Sequence, residues 1–320
     1  MHVSMEDSSG VGLRPRKASG SMVERSVFLG LDMDSTTSKL ALVAADGKLL
    51  EAQYLRHGAA VRQTLSTMLD QLALKYPGMA VSAAITGSAS LGPSETPGLP
   101  FVQEVVATTT AVRRECPQAD AIVELGGEDA KLVYLTRGLE QRMNATCAGG
   151  TGGFIDTVAF MLGLKTAGLS KLALGANRVY PIASRCAVFA QTDIRPLLNA
   201  GARAADIAAS ALEAVVRQTL GGLACGRPIE GTVVFLGGPL EHIPELVRRL
   251  RSAFGLTARE GIKPLDAHLS TARGAALPGA EALGHRGDAA VSLGPLAARP
   301  AHMPSIPARL PTSPHPFLSP

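Results

Sequence analysis

The stretch of sequence that decides the fold reads Leu31-Asp32-Met33-Asp34-Ser35-Thr36-Thr37-Ser38-Lys39. The apolar run Val27–Met33 leads into it and a second run, Lys39–Ala44, leaves it, which predicts two strands joined by a tight, hydroxyl-rich turn. Backbone N–H and side-chain O–H groups in such a turn can donate to phosphate oxygens, and Asp32 could hold Mg²⁺ through water. The alternative is an ordinary hairpin loop, because Ser, Thr and Asp are common turn formers.

A second turn of the same kind follows later in the chain and reads Glu124-Leu125-Gly126-Gly127-Glu128-Asp129-Ala130-Lys131. Its glycines allow the backbone to approach a ligand closely, and its carboxylates could organise Mg²⁺ and an attacking water. A third turn, Phe235-Leu236-Gly237-Gly238-Pro239, could leave bare backbone against the sugar and base of a nucleotide. Each turn also has a plain alternative, because the second could be a polar hairpin and the third an ordinary strand–helix loop. The order of the three turns along the chain is therefore more specific for a nucleotide site than any one turn.

The segments around the first two turns repeat one order of elements, which predicts two α/β lobes with a cleft between them. The first lobe is predicted over 26–116 and the second over 117–277. A Ser-rich leader, 1–25, and a tail, 278–320, that holds nine of the 21 prolines are expected to be disordered. We also hypothesise that the tail is a truncation or frameshift product. Helices are predicted in each lobe, among them Gln103–Arg113, Gly152–Leu162, Ala205–Leu220 and Glu241–Phe254.

Composition excludes several classes of protein. The formal net charge is only +4 and no Lys/Arg stripe is present, which argues against nucleic-acid binding. No apolar run reaches the roughly 18 residues that a membrane span needs, and the leader lacks the apolar centre of a signal peptide. A cytoplasmic protein without a membrane partner is therefore expected.

The four cysteines are better explained as ligands or buried thiols than as disulfides, because a reducing compartment is expected. Cys147 precedes a predicted helix in Cys-Ala-Gly-Gly-Thr-Gly, and Cys186 lies in Ser-Arg-Cys-Ala-Val-Phe-Ala, where another helix is predicted to start. A helix N-terminus favours a thiolate and an anionic cluster. The Gly-rich block could instead be a phosphate loop, although it lacks a Walker lysine. Cys116 and Cys225 have the settings of structural thiols.

These blocks resemble the BadF/BadG/BcrA-type ATPases, in particular the activators of 2-hydroxyacyl-CoA dehydratases and benzoyl-CoA reductases. The resemblance runs from about Phe28 to Ala276, and its specific parts are the two cysteine blocks, 39 positions apart as the cluster ligands of the family are. Other segments look most like long proteins that fuse an activator to a dehydratase-like region. The family's first loop usually has Gly where this chain has Asp34, whose charge is unfavourable beside phosphate unless Mg²⁺ or Lys39 offsets it.

The resemblance implies an actin-like (acetate/sugar kinase–Hsp70–actin) fold of two ribonuclease-H-like lobes, with ATP and Mg²⁺ in the interlobe cleft. It implies catalytic roles for Asp32, Glu124, Glu128 and Asp129. It also implies one 4Fe–4S cluster, shared by two chains of a homodimer through Cys147 and Cys186. Nucleotide-binding positions carried over by motif are Ser35, Thr36, Thr37, Lys39, Gly126, Gly127, Gly237 and Gly238.

The implied function is that of an ATP-driven electron donor to a 2-hydroxyacyl-CoA dehydratase or benzoyl-CoA reductase-like protein, supplied by reduced ferredoxin or flavodoxin. Two alternatives stay open at this point. A small-molecule kinase of the same fold would transfer phosphate to a sugar or acid, but it gives no reason for the two cysteines. A non-catalytic remnant of a longer fusion protein would bind a partner without turning over ATP, which Asp34 and the tail favour.

Overall fold

The computed structural model describes residues 27–90, 99–144, 149–183, 187–277 and 291–292. Its first sheet has the strand order β10-β4-β1-β2-β3. The first three strands form an antiparallel meander, whose first two strands are the pair predicted around the first turn, and β4 lies parallel to β1. The strands are β1 Val27–Met33, β2 Thr37–Ala44, β3 Leu49–Arg56, β4 Ala80–Thr86 and, close to the C-terminus, β10 Val291–Ser292.

The second sheet repeats this arrangement with the order β7-β6-β5-β8-β9. Strands β5, β6 and β7 form an antiparallel meander, and β8 lies parallel to β5, as β4 does to β1. This repeat confirms the predicted duplication of an α/β unit. The strands are β5 Ala121–Leu125, β6 Ala130–Tyr134, β7 Glu140–Met143, β8 Val233–Leu236 and β9 Gly261–Ile262.

Helices cover both sheets. Among the described residues no helix is both long enough and apolar enough to cross a membrane. The α-helices are α1 Val61–Lys75, α2 Glu104–Glu115, α3 Gly152–Met161, α4 Gly168–Ala173, α5 Ala187–Asn199, α6 Ala204–Gln218, α7 Gly238–His242, α8 Pro244–Phe254 and α9 Ser270–Ala276. A π-helical turn, Thr219–Ala224, extends α6, and a 3₁₀ turn, Ala267–Leu269, precedes α9.

Three predicted features need comment. The single helix predicted over Glu241–Phe254 is wrong, because it breaks at Ile243, whose ψ is 78°. Pro244 follows, and a proline disfavours the helical conformation of the residue before it. The predicted leader and nearly all of the predicted tail lie outside the described residues. Within the predicted tail, Val291 and Ser292 pair with β4, where they satisfy backbone groups at the edge of the first sheet.

Helix α9 comes late in the chain but packs against the first sheet. Its residues Ala272 and Ala276 are buried with Ala41 and Val43 of β2. Two glycines make the contact possible. A Cβ atom on Gly30 of β1 would lie 1.9 Å from the carbonyl oxygen of Ala272, and one on Gly274 would lie 1.8 Å from that of Ala107 in α2. The backbone of α9 is therefore in direct contact with the backbones of β1 and α2, and α9 connects the second half of the chain to the first sheet.

Replacing Gly274 with Ala should destabilise the protein, because the new methyl group would overlap the carbonyl oxygen of Ala107 and force α2 and α9 apart. We expect a loss of about 1–3 kcal/mol in the free energy of unfolding, measured by urea denaturation. Gly221→Ala is the matched control, because no atom outside its own helical turn lies within 4 Å of the position its Cβ would take. Equal stability of the two variants would contradict this account of the packing.

Candidate functional site

Side chains from four strands of the first sheet stand in one row near the C-terminal end of β1. The register pairs Asp32 of β1 with Lys39 of β2 and with Thr86 of β4, and it pairs Lys39 with Tyr54 of β3. Cross-strand partners project from the same face of a sheet. This face is opposite to the one on which Leu31 packs with α1, so the row belongs to the side of the sheet that α9 covers.

Lys39 holds two carboxylates of the first turn together. Its Nζ lies 2.8 Å from Oδ2 of Asp32 and 2.5 Å from Oδ2 of Asp34. Burial raises the pKa of Asp32 to about 8, and the charge of Asp34 adds to the rise, although Lys39 opposes it. Burial also opposes ionisation of Asp34, but the attraction of Lys39 and their hydrogen bond hold its pKa below the usual value. The charge of Asp34 is thus offset by Lys39, as the sequence required.

The second turn, between β5 and β6, is closed by the N–H of Gly126, which donates to the carbonyl oxygen of Asp129 at 2.7 Å. Glu124, at the end of β5, is buried, and its Oε1 accepts a hydrogen bond from Oγ1 of Thr271 in α9 at 3.2 Å. Glu128 is exposed. The side chains of this turn are therefore divided between the interior and the surface.

Lys131 lies among acidic side chains behind the second turn. Its Nζ contacts Oε1 of Glu104, at the start of α2, and lies 3.9 Å from Oδ2 of Asp129. Burial raises the pKa of Glu104 to about 7, with repulsion from Glu124 adding to the rise and Lys131 opposing it. Burial opposes the charge of Lys131, but the nearby Glu124 and Glu104 raise its pKa.

The first and second turns touch each other. A Cβ atom on Gly127 would lie 2.0 Å from Oγ1 of Thr36, so any larger residue at 127 would push the turns apart. This is the one position in the second turn where the close approach of the two lobes requires glycine.

The first residues of α3 are hydrogen-bonded to the second turn. The N–H groups of Gly152 and Gly153 donate to the carbonyl oxygens of Gly126 and Gly127 at 2.9 and 2.7 Å. Oγ1 of Thr151 also donates to the carbonyl oxygen of Gly127, at 3.0 Å. The sequence predicted that this helix start would offer free N–H groups to an anion, but two of them bind the second turn instead.

The third turn closes the far side of the site. Gly237 has a φ of +95°, and a Cβ atom there would lie 2.0 Å from the carbonyl oxygen of Leu125, so glycine is required on two counts. Three rings meet beside it. The ring of Tyr54 lies edge-on to those of His268 and His242, with centroids 5.1 and 6.1 Å away.

The three turns surround a cavity of about 300 Å³. Of the predicted site residues, eight line it: Thr36, Thr37, Lys39, Glu124, Gly126, Gly127, Gly237 and Gly238. Asp32 lies behind Lys39 and is fully buried. The structure does not bring Ser35, Glu128 or Asp129 to the cavity wall.

Several lining residues were missed by the sequence reasoning, notably Tyr54, Arg56, Asp156 and His242. A signal existed for the first two. They alternate along β3, and the register places them beside Lys39 and Thr37 of the first turn. For Asp156 and His242 no local pattern was available, because their proximity depends on how the lobes pack.

The predicted iron ligands Cys147 and Cys186 lie outside the described residues. Helix α5 begins at Ala187, immediately after Cys186, as the sequence predicted. Of the other two cysteines, Cys116 is buried and Cys225 is exposed at the end of the π-helical turn. Burial raises the pKa of the Cys116 thiol. Within the described ranges no three or more His, Cys, Asp or Glu side chains are grouped to hold a metal ion.

Comparison with known sequences connects this geometry to a family. The model of the BadF/BadG/BcrA/BcrD ATPase family matches residues 29–279. The chain is 29% identical over 222 residues to the (R)-2-hydroxyglutaryl-CoA dehydratase activating ATPase of Acidaminococcus fermentans, a match that covers 67% of this chain and 83% of that protein. It is 28% identical over 261 residues to the activator of lactoyl-CoA dehydratase of Anaerotignum propionicum, covering 79% and 97% of the two chains.

Comparison with solved structures confirms the predicted actin-like fold. The activator of the 2-hydroxyisocaproyl-CoA dehydratase from Clostridium difficile, solved with bound ADPNP, superposes with a TM-score of 0.68 at 24% identity over 80% of this chain and 95% of that one. The ethanolamine utilization protein EutJ from Carboxydothermus hydrogenoformans gives a TM-score of 0.52 at 14% identity over 78% and 89% of the two chains.

Replacing Asp34 with Gly should tighten ATP binding. The change removes one of the two carboxylates that hold Lys39 and one negative charge from the cavity wall. Lys39 then keeps a single carboxylate partner, so that more of its positive charge acts on the phosphates, which at a partly solvated site is worth about 1 kcal/mol, or roughly fivefold in affinity, measured by calorimetric titration. Asp46→Gly, in the exposed turn after β2, is the control. Equal or weaker binding to Asp34→Gly would mean that Asp34 serves the bound metal ion.

Proposed function

This chain belongs to the BadF/BadG/BcrA/BcrD ATPase family, and from that membership we propose that it is an ATP-dependent activator of a 2-hydroxyacyl-CoA dehydratase or benzoyl-CoA reductase-like partner. The proposed activity couples ATP hydrolysis to low-potential electron transfer from a 4Fe–4S cluster. Relatives named as dehydratase activators, and one named as a benzoyl-CoA reductase subunit, support the choice of partner. Reduced ferredoxin or flavodoxin is the proposed electron source.

The observation that carries the proposal is the link between the cavity and the segment that contains Cys147. The second turn lines the cavity, and its two glycine carbonyls accept hydrogen bonds from the start of α3, which follows Cys147 closely in sequence. A nucleotide that changes the second turn therefore also acts on the start of α3. In an electron donor, such a link gives ATP a route to the cluster region.

The charges of the site fit a Mg²⁺ ion bound with ATP. Oδ1 of Asp32 is buried and has no hydrogen-bond partner among the described residues. Carboxyl groups also outnumber ammonium groups, since Lys39 and Lys131 face a larger set of acidic side chains: Asp32, Asp34, Glu104, Glu124 and Asp129. Asp32 and Glu124 are the residues we propose to hold the ion through water. When bound, Mg²⁺ would offset phosphate charge and lower the pKa of a coordinated water.

The chain's own groups have distinct proposed tasks in ATP hydrolysis. The backbone N–H groups and hydroxyls of the first turn bind phosphate oxygens, and Lys39 keeps the carboxylates beside them ordered. Glu124, positioned by Thr271, orients the attacking water. Glu128 and Asp129 stay as proposed catalytic groups that would act only if the second turn rearranges around the nucleotide, because neither lines the cavity here.

The proposed cluster lies between two chains. A 4Fe–4S cube held by protein thiolates needs four cysteines. Cys147 and Cys186 from each of two chains satisfy this number, and a twofold axis supplies the pairs symmetrically. The two remaining cysteines do not suit the role, because Cys116 is buried beside α2 and Cys225 lies at the end of the π-helical turn.

The alternatives are less well supported. A small-molecule kinase needs room for an acceptor beside the phosphates. Here the first and second turns touch, because Thr36 lies against Gly127. The charge of Asp34 and the tail favoured a non-catalytic remnant, and Lys39 offsets the first of these. Nucleotide turnover by the purified chain would exclude the remnant.

Binding of Mg²⁺ and ATP should release a proton from Asp32 at neutral pH. The pKa of Asp32 is raised to about 8, so below pH 8 its carboxyl carries a proton that the metal ion must displace. Apparent affinity should therefore rise by up to about tenfold per pH unit below 8 and level off above it. Calorimetry in buffers of different ionisation enthalpy measures the released proton. Asp32→Asn should abolish the release and Asp70→Asn, on the exposed face of α1, should keep it. Proton release retained in Asp32→Asn would contradict the assignment.

Anaerobic reconstitution with iron and sulfide tests the cluster. Cys147→Ala and Cys186→Ala should each lose the iron and the electron paramagnetic resonance signal, whereas Cys116→Ala and Cys225→Ala should keep both. Light scattering should give a dimer with about four irons per two chains, as one shared cube requires. One complete cluster per monomeric chain would overturn the shared arrangement, and a colourless protein would leave only an ATPase without an electron-transfer role.

A further inference from the structure

An ion pair crosses the rim of the cavity from one lobe to the other. Nη1 of Arg56, the last residue of β3, lies 2.7 Å from Oδ2 of Asp156 in α3. Both residues line the cavity. Oγ1 of Thr166 donates a hydrogen bond to Oδ1 of Asp156, so each carboxylate oxygen has one partner, Oδ1 in the second lobe and Oδ2 in the first.

Each partner of this pair is fixed to one of the two turns proposed to bind phosphate. Arg56 is the register partner of Thr37 in the first turn, and the N–H of the next residue, His57, donates to the carbonyl oxygen of Thr36 at 3.3 Å. Asp156 lies one helical turn after the glycines of α3 that donate to the second turn. The ion pair therefore spans the same gap that the two turns span, and phosphates bound between the turns would come within reach of the Arg56 side chain.

Arg56 is also the cation of the cavity wall that is best able to change partners. Lys39 is 6% exposed and lies between two carboxylates. The side chain of Arg56 is 63% exposed and uses Nη1 on Asp156, while its other guanidinium N–H groups have no protein partner among the described residues. An exposed ion pair is weak. The planar guanidinium, by contrast, binds phosphate oxygens through two parallel hydrogen bonds.

We propose that Arg56 binds the terminal phosphate of the nucleoside triphosphate, and that Asp156 competes with this phosphate for the guanidinium. Arg56 is then the residue that distinguishes ATP from ADP. In the triphosphate state it leaves Asp156, and the first turn of α3 loses its tie to the first lobe. The inference rests on nucleotide binding as given under the proposed function and needs no cluster.

The experiment measures dissociation constants of the full chain for a non-hydrolysable ATP analogue and for ADP, both with Mg²⁺. Arg56→Ala should weaken the analogue by about tenfold or more and ADP by less than about threefold, because one charged phosphate contact is lost only with the analogue. Asp156→Ala should tighten the analogue several-fold by freeing Arg56. In the double variant the gain should vanish, and its affinities should equal those of Arg56→Ala.

Arg217→Ala is the matched control. Arg217 is equally exposed, at 63%, and pairs with Glu213, which is 29% exposed, against 30% for Asp156. It lies outside the cavity wall, so its loss should leave both dissociation constants unchanged. Melting temperatures of all variants show whether each one is folded.

Two results would overturn the proposal. Equal effects of Arg56→Ala on analogue and ADP, including none, would show that the guanidinium does not contact the terminal phosphate. A loss of analogue affinity in Asp156→Ala would make Asp156 a ligand and not a competitor. The electron-donor function is tested separately. If Arg56 discriminates ATP from ADP but no cluster can be reconstituted, only the electron-donor function is contradicted. If the cluster forms normally but Arg56 does not discriminate the two nucleotides, only the present inference is contradicted.

Discussion

The contact of bare backbone with bare backbone at Gly30 and Gly274 is the constraint on which the relation of the two lobes depends. It lets α9 lie against both the first sheet and α2 at distances that no side chain would allow. Thr271 on α9 then reaches two elements at once, because its Oγ1 lies 2.9 Å from that of Thr108 in α2 and donates to Glu124 of the second sheet. Because Gly30 and Gly274 have no Cβ atom, α9 can approach closely enough to place a buried chain of hydroxyl groups between the lobes.

The chemistry of the cavity follows from sheet register as much as from the turns themselves. Asp32, Lys39 and Tyr54 come from three strands, yet the pairing of β1, β2 and β3 puts them side by side. A shift of one residue in any pairing would send one of them to the opposite face. The apolar residues that alternate with them, such as Leu31 and Leu40, are fully buried and hold the register. The same strand register therefore fixes both the apolar core on one face of the sheet and the row of charged side chains on the other.

The sequence predicted most of the fold because its strongest patterns are local. Strand β1 was predicted with its observed bounds, since it is an apolar run that ends at a turn. The break at Ile243 was missed because the apolar periodicity continues through it, although Pro244 was the available signal. Eight cavity residues were predicted from motifs, whereas Asp156 was not, because its partner Arg56 is 100 positions away in sequence. Long-range pairs depend on lobe packing, which no local pattern carries.

The two glycine amides at the start of α3 have a further consequence. The N–H groups of Gly152 and Gly153 donate hydrogen bonds to the carbonyl oxygens of Gly126 and Gly127 and not to carbonyl oxygens of their own helix. An amide hydrogen exchanges with solvent deuterium only when its hydrogen bond opens. The exchange rates of Gly152 and Gly153 are therefore set by the opening of the second turn, which belongs to the same lobe, and not by helix fraying, so that the protein contains two isotopic reporters of how firmly this turn is held against α3.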